Sequence, residues 1–365
     1  MALCVQARVP IHVIGEPGTG KTAFIAALCR AVDYHLEVVV LSVREPADIA
    51  GFPIVGHTDD GKATLQLAPP DWALRASAAK RSVVFLDEFS CAPPAMQAAA
   101  LRPVNEGDLA GLDLRHVSWA AASNPPEQAA DGYDLSPPQA NRWVHVEWTV
   151  DPLEWCQGME TGWMAPSVSI LPEAWRCGIP ASRALVASFI RKRPSLLQAL
   201  PKESSERSGP WPSCRTMELV AKLHAACLAA GTSPSCLALG VQGAIGPGAG
   251  NEFLIWHQEL DLPDLEDLLR DPGRFTPVER GDRAMAILAG LAATVASNPT
   301  RPRWDAAWTC VMVQAKRDKG VAVTAAVHLI RLLKALGGTV EGVIPPDAAE
   351  WAALARAAFS PTREA

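Results

Sequence analysis

The chain has no long apolar run, no basic block and no paired-cysteine motif, and each absence excludes something. No stretch of its 365 residues approaches the roughly 20 uninterrupted apolar residues that span a bilayer, so no transmembrane helix is expected. Acidic residues outnumber basic ones, 39 to 33, for a formal charge of −6. Without a basic stripe the chain is a poor nonspecific binder of nucleic acid, and the short run Arg191-Lys192-Arg193 reads as a helix end. Nine cysteines are present, an odd and scattered set with no C-x-x-C, and residues 1–30 show no secretory cleavage site. Reduced thiols and a cytoplasmic protein are therefore expected. There is no internal repeat.

What is present is ordinary for a globular protein: 49% hydrophobic and 20% charged residues, which excludes a largely disordered chain. At roughly 150 residues per domain the length suggests two or three domains. The 31 prolines cut the chain into short helices and turns rather than long coiled coils.

The first 150 residues alternate between strand and helix signals. Val9–Ile14 reads as a short buried strand, and residues 21–32 carry apolar positions at helical spacing. Leu36–Val43 is a β-branched run of the kind found in a strand covered on both faces, followed by further strands at Val83–Leu86, Val117–Ser123 and Trp143–Trp148. Strands separated by helices predict a parallel sheet with helices on both faces. Phe52–Val55 and Ala63–Leu67 flank Asp59-Asp60-Gly61, which predicts an antiparallel hairpin inserted into this α/β pattern. Beyond residue 150 the β signal disappears. Helices are expected at 179–193, 214–230, 235–260, 281–297, 303–316, 321–336 and 346–358, with loops at 201–213 and 271–277.

Gly15-Glu16-Pro17-Gly18-Thr19-Gly20-Lys21-Thr22 has the form G-x-x-x-x-G-K-T between an expected strand and an expected helix. Glycines let consecutive backbone N–H groups curl around a phosphate, and the helix N-terminus adds its positive end. Lys21 can reach the β- and γ-phosphates, and the Thr22 hydroxyl can ligate Mg²⁺. The strand Val83–Leu86 ends in Asp87-Glu88, at the carboxyl edge where open α/β sheets place ligands. There Asp87 would hold Mg²⁺ and Glu88 would orient and activate the attacking water.

Three further polar residues are candidates. Asn124 closes the next strand and can hydrogen-bond a γ-phosphate or the lytic water, and it equally suits the turn before Pro125-Pro126. Arg142, before the last strand, suits an arginine finger supplied to a neighbouring subunit, or a surface ion pair. Arg215 opens a helix that Ser213 can cap, from which it could reach the phosphates or lie in solvent. There is no N-K-x-D element for guanine, which favours ATP over GTP.

Together the GEPGTGKT loop, the FLDEF strand, Asn124, Arg142 and Arg215 resemble an AAA+ ATPase. Within that class the chain is similar to the MoxR branch, through Asp48-Ile49-Ala50-Gly51-Phe52-Pro53, Leu67–Trp72, and Asp87-Glu88-Phe89-Ser90-Cys91-Ala92-Pro93-Pro94-Ala95-Met96-Gln97. It differs at Asn141-Arg142-Trp143, where the family has Asp-Arg-Phe. The resemblance implies an α/β core over residues 1–150 and a helical lid over 151–270; residues 271–365 match no part of it, and their helical spacing alone makes them a further helical region. The resemblance also implies a ring-forming, usually hexameric ATPase with ATP and Mg²⁺. Such a ring would have a chaperone-like role on a partner that often carries a von Willebrand factor A domain. A nucleotide-switched scaffold and a nucleic-acid-associated motor remain as alternatives.

Overall fold

The computed structural model describes residues 1–57, 60–125 and 132–335. A short helix α1 (Ala2–Ala7) leads into β1 (Ile11–Ile14), whose first three residues are buried, and then α2 (Lys21–Ala31). β2 (His35–Val40) and α3 (Pro46–Ala50) precede the hairpin β3 (Phe52–His57) and β4 (Ala63–Ala68). α4 (Asp71–Ala78), β5 (Ser82–Asp87) and α5 (Pro94–Glu106) follow. Two-residue strands β6 (Asp108–Leu109) and β7 (Leu112–Asp113) come next, then β8 (Ser118–Ser123), α6 (Pro137–Ala140), β9 (Val144–Glu147) and α7 (Pro152–Thr161).

The sheet is five-stranded in the order β2-β5-β8-β1-β9, every pairing parallel. β5 and β8 are apolar or small at almost every position and buried at every position but Asp87, as expected of central strands in a parallel sheet. The expected double covering does not extend to β2. It is the edge strand, its burial alternates, and Val38 is 40% exposed. The buried side of β2 includes Glu37, which Arg75 of α4 grips with two hydrogen bonds of 2.8 Å. The strand also stops at Val40, and Leu41–Val43 forms a 3-10 turn.

The inserted hairpin forms, paired from Phe52↔Ala68 to His57↔Ala63, and residues 58 and 59 of its loop lie outside the described residues. A second hairpin, β6–β7, was not expected. Its turn residues Ala110 and Gly111 both have positive φ, 51° and 82°, as a two-residue turn demands.

Beyond residue 172 the described structure is helical: α8 (Ile179–Lys192), α9 (Cys214–Ala230), α10 (Pro234–Ile245), α11 (Pro247–Leu260), α12 (Leu265–Arg270), α13 (Gly281–Ser297), α14 (Arg301–Ala315) and α15 (Lys319–Ala335). The single helix expected over 235–260 is two, because Pro247 has no N–H to continue the first and instead starts the second. The helix expected at 346–358 lies outside the described residues. None of the described helices is long and apolar enough to cross a membrane. All nine cysteines are free thiols.

The chain divides into two compact units, each built from two stretches of sequence. One is Met1–Pro172 with Gln198–Asn251, so the sheet and helices α9 and α10 belong together. The other is Glu173–Leu197 with the described residues from Glu252 onward. Its core is a helical cluster around Leu288, Leu291, Trp304, Val311 and Leu329, with the Trp304 indole N–H donating to the Leu329 carbonyl at 2.6 Å.

Candidate nucleotide site

The phosphate loop leaves the carboxyl end of β1 and enters α2. Its start is fixed on both sides: Gly15 N–H donates to the Ser123 carbonyl at 3.1 Å, and Trp148 N–H donates to the Ile14 carbonyl at 2.7 Å. A Cβ on Gly15 would stand 2.5 Å from the Trp148 carbonyl oxygen, so any larger residue would push loop and strand apart. Gly18 and Gly20 have φ of 75° and 83°, the left-handed conformation that turns successive N–H groups inward. Trp148 also donates from Nε1 to the Thr19 carbonyl at 3.1 Å and packs its ring on Phe24 at 4.8 Å. It thus braces the loop from the side of β9.

Lys21, Thr22, Asp87 and Asn124 come together at this edge. Lys21 Nζ donates to the carbonyls of Gly15 (2.7 Å) and Glu16 (2.8 Å) and to Asn124 Oδ1 (3.0 Å). Burial pushes the lysine pKa down from its ordinary value, while the Asp87 charge pulls it up. Thr22 Oγ1 donates to Asp87 Oδ2 at 2.7 Å, which joins the loop to the end of β5. Two hard oxygen donors in contact beside a phosphate loop fit Mg²⁺, an ion that takes few protein oxygens and completes its shell with water and phosphate.

Glu88 is at the same edge in an unusual conformation, with φ of 55°. A left-handed non-glycine residue costs on the order of 1–3 kcal/mol and persists where its surroundings impose it. Here Glu88 N–H donates to Asp87 Oδ1 at 3.0 Å, and the Ser42 hydroxyl donates to the Glu88 carboxylate. Ser42 and Trp148 are site residues that sequence reasoning missed. A serine one turn past an edge strand, and a tryptophan closing another, give no local signal of where they meet the loop.

Arg142 and Arg215 form a separate group. β9 runs parallel to β1, with Val144 opposite Ile11 and Glu147 opposite Ile14. Arg142 therefore leads into the amino end of β9, whereas the phosphate loop leaves the carboxyl end of β1. The two levels lie on the order of 20 Å apart at about 3.3 Å per residue. Asn141, buried, donates from Nδ2 to the Trp211 carbonyl (3.0 Å) and accepts from Ser213 Oγ (2.5 Å). Ser213 caps α9 by accepting from Thr216 N–H, so the start of α9, and Arg215 with it, is pinned beside Arg142. Burial and the Arg215 charge hold the Arg142 guanidinium below its ordinary pKa. Arg142 donates from one terminal nitrogen to the Pro138 carbonyl, and its buried Nε has no partner among the described residues.

Residues 10–126 match the family described as AAA domain (dynein-related subfamily). No curated protein matches the chain. Among solved structures, a candidate ATPase from Cytophaga hutchinsonii aligns with 65% of this chain and 76% of its own, at 15% identity and a TM-score of 0.37. An MCM homolog from Methanopyrus kandleri aligns with 71% of this chain and 54% of its own, at 17% identity and a TM-score of 0.35. This chain thus spans about half the length of the second, and similarities this weak carry no argument about function. The family match and the five-stranded parallel sheet agree on an AAA-type α/β core followed by helices.

Proposed function

We propose that the chain is a Mg²⁺-dependent ATPase of the MoxR type that acts as a ring of identical subunits, hexameric as in its class. In this reading it is cytoplasmic and spends hydrolysis on remodelling or activating a partner protein, one with a von Willebrand factor A domain being the leading kind. The observation that carries the ATPase reading is the cluster of Lys21, Thr22, Asp87, Glu88 and Asn124 at one strand edge. Mg²⁺, held by Thr22 and Asp87, would neutralise charge on the β- and γ-phosphates.

The chain's own groups divide the remaining work. The N–H groups of Gly18–Lys21 and the Lys21 ammonium bind the phosphates, once Lys21 exchanges loop carbonyls for phosphate oxygens. Asn124, already touching Lys21, orients the γ-phosphate or the attacking water without adding charge. Glu88 takes the proton from that water after its carboxylate leaves the Ser42 hydroxyl. Arg215 at the capped start of α9 and Arg142 beside it are two neighbouring cations, and neither is paired with a carboxylate among the described residues. A neighbouring subunit's triphosphate would supply the missing anion, so each active site is shared between two chains.

The test is hydrolysis by the purified, assembled chain beside Glu88→Gln. The variant should keep its ATP affinity and lose about 10²- to 10⁴-fold in turnover, because the amide keeps the shape but accepts no proton. Hydrolysis by the variant at the wild-type rate would remove Glu88 from the chemistry. The Ser42 restraint on Glu88 favours one second reading, a nucleotide-switched scaffold. Turnover near zero in assembled wild-type rings that still bind ATP would select it.

A further inference from the structure

β1 carries a histidine where an apolar residue would be expected. His12 is 3% exposed and His145, its register partner on β9, is 8% exposed. Their Nδ1 atoms lie 3.4 Å apart. On its other side His12 Nε2 lies 2.7 Å from Ser123 Oγ, and Ser90 N–H donates to that same oxygen at 3.1 Å. His145 Nε2 lies 2.8 Å from the Ala140 carbonyl oxygen.

The bonds fix where every proton sits. A carbonyl only accepts, so His145 Nε2 must carry the proton and donate to Ala140. In neutral His145 the Nδ1 is then an acceptor, which requires the proton of His12 on Nδ1. His12 Nε2 is left as an acceptor and takes the Ser123 hydroxyl, whose oxygen accepts from Ser90. Each donor along this line has one acceptor, with both rings neutral. Burial pushes both ring pKa values down, His145 to about 4 and His12 well below the usual histidine range, the latter also by the nearby His145.

The line runs between candidate catalytic residues. Ser123 is the neighbour of Asn124. Ala140 precedes Asn141 and Arg142. The His12 ring also packs edge-on against Phe89, the neighbour of Glu88, at 5.9 Å between centroids, and at a tilt against Trp143, the neighbour of Arg142, at 6.3 Å. Phe89 and Trp143 in turn meet edge-on at 5.5 Å. One ring thus touches the residue beside each of Glu88, Asn124 and Arg142.

We infer that His12 and His145 are positioning residues that tie the strand ends bearing Glu88 and Asn124 to the turn that presents Arg142. A shift of Asn124 on meeting the γ-phosphate would pass through Ser123 and the two rings to the Ala140 carbonyl. It would thereby set the arginine offered to the next subunit. The arginine half of this inference rests on the shared-site reading above, while the Asn124 half does not.

The test uses assembled full-length chains. His12→Leu fills the space and removes both nitrogens. Ser123→Ala removes one oxygen, leaves the packing, and carries the same test if His12→Leu does not fold. Turnover at saturating ATP should fall about tenfold or more for His12→Leu and about threefold for Ser123→Ala, with the Kd for ATP within about threefold of wild type. His12→Gln, which keeps an acceptor for the Ser123 hydroxyl, should recover part of the loss. Wild-type turnover in the folded variants, or a fall in affinity that accounts for the whole loss, overturns the inference.

Mixed rings separate the two halves. Glu88→Gln chains can lend Arg142 but cannot hydrolyse, and Arg142→Ala chains can do the reverse. Recovered hydrolysis should drop at least threefold when the lending chain also carries His12→Leu. Equal recovery with and without His12→Leu overturns the link to Arg142. No recovery in either mixture overturns the shared-site reading instead, and the turnover of His12→Leu alone still judges the Asn124 half.

Discussion

The two ends of the central strands treat positive charge in opposite ways. At the carboxyl end Lys21 is surrounded by oxygen: two loop carbonyls and the Asn124 amide, with Asp87 nearby. At the amino end Arg142 faces Arg215 beside a helix start, keeps a buried Nε without a partner among the described residues, and has its charged form disfavoured. The first end holds a cation whose oxygens stand where phosphate would bind. The second holds two neighbouring cations with no ion pair among the described residues. A strand of four residues separates them, so an arginine side chain does not bridge them within one chain. The contrast makes sense if the amino end completes the carboxyl end of another copy.

The sharpest way to break this contrast is to remove a cation from the amino end. Arg142→Ala should bind ATP normally and lose on the order of 10³-fold or more in turnover, because a finger acts on charge that develops in the transition state. Titration calorimetry beside steady-state hydrolysis reads both quantities, and a variant weakened equally in binding and turnover would put Arg142 in its own chain's nucleotide site.

Removing the cation at the other end should look different. Lys21→Ala deletes a charge-assisted contact present before the transition state, so affinity itself should fall, by about 10- to 100-fold if the bond contributes roughly 1.5–3 kcal/mol. Unchanged affinity by calorimetry would remove Lys21 from phosphate binding.

The smallest expected effect concerns the neutral pair between the two ends. His145 has a pKa of about 4 in the folded chain against about 6.5 when unfolded. Between those values the unfolded chain binds more protons than the folded one, so stability should fall as pH drops from about 6.5 toward 4 and level off below. Over the first unit, from about pH 6.5 to 5.5, the loss is on the order of 1 kcal/mol. His12 works in the same direction. Urea denaturation at several pH values reads the effect, and the difference from His145→Gln isolates His145 from His257 and His328, which burial also shifts down.

Much of the carboxyl end was legible because it is encoded in contiguous residues. A glycine loop between strand and helix, and an apolar strand ending in two acids, signal their roles by neighbours in sequence. The amino end was legible only as isolated arginines. What assembles it is Asn141 bonded to Trp211 and Ser213, contacts across 70 residues that no local pattern reports. The histidine pair was invisible for the same reason, since a lone His12 among Ile11 and Val13 looks like a core position. The grouping into two units was not legible, because periodicity reveals that α8 is a helix but not that Glu173–Leu197 belongs with residues beyond 251. The β6–β7 hairpin, two residues to a strand, is too short to leave a period at all.

The most direct test of the shared site mixes two inactive chains. Arg142→Ala retains Glu88 but offers no finger, and Glu88→Gln offers a finger but cannot activate water. Each should be inactive alone, and mixed rings should regain part of the wild-type hydrolysis, rising with the fraction of neighbours that pair an intact Glu88 with an intact Arg142. Hydrolysis that stays at the level of the separate variants at every mixing ratio, in rings shown to contain both chains, would contradict it.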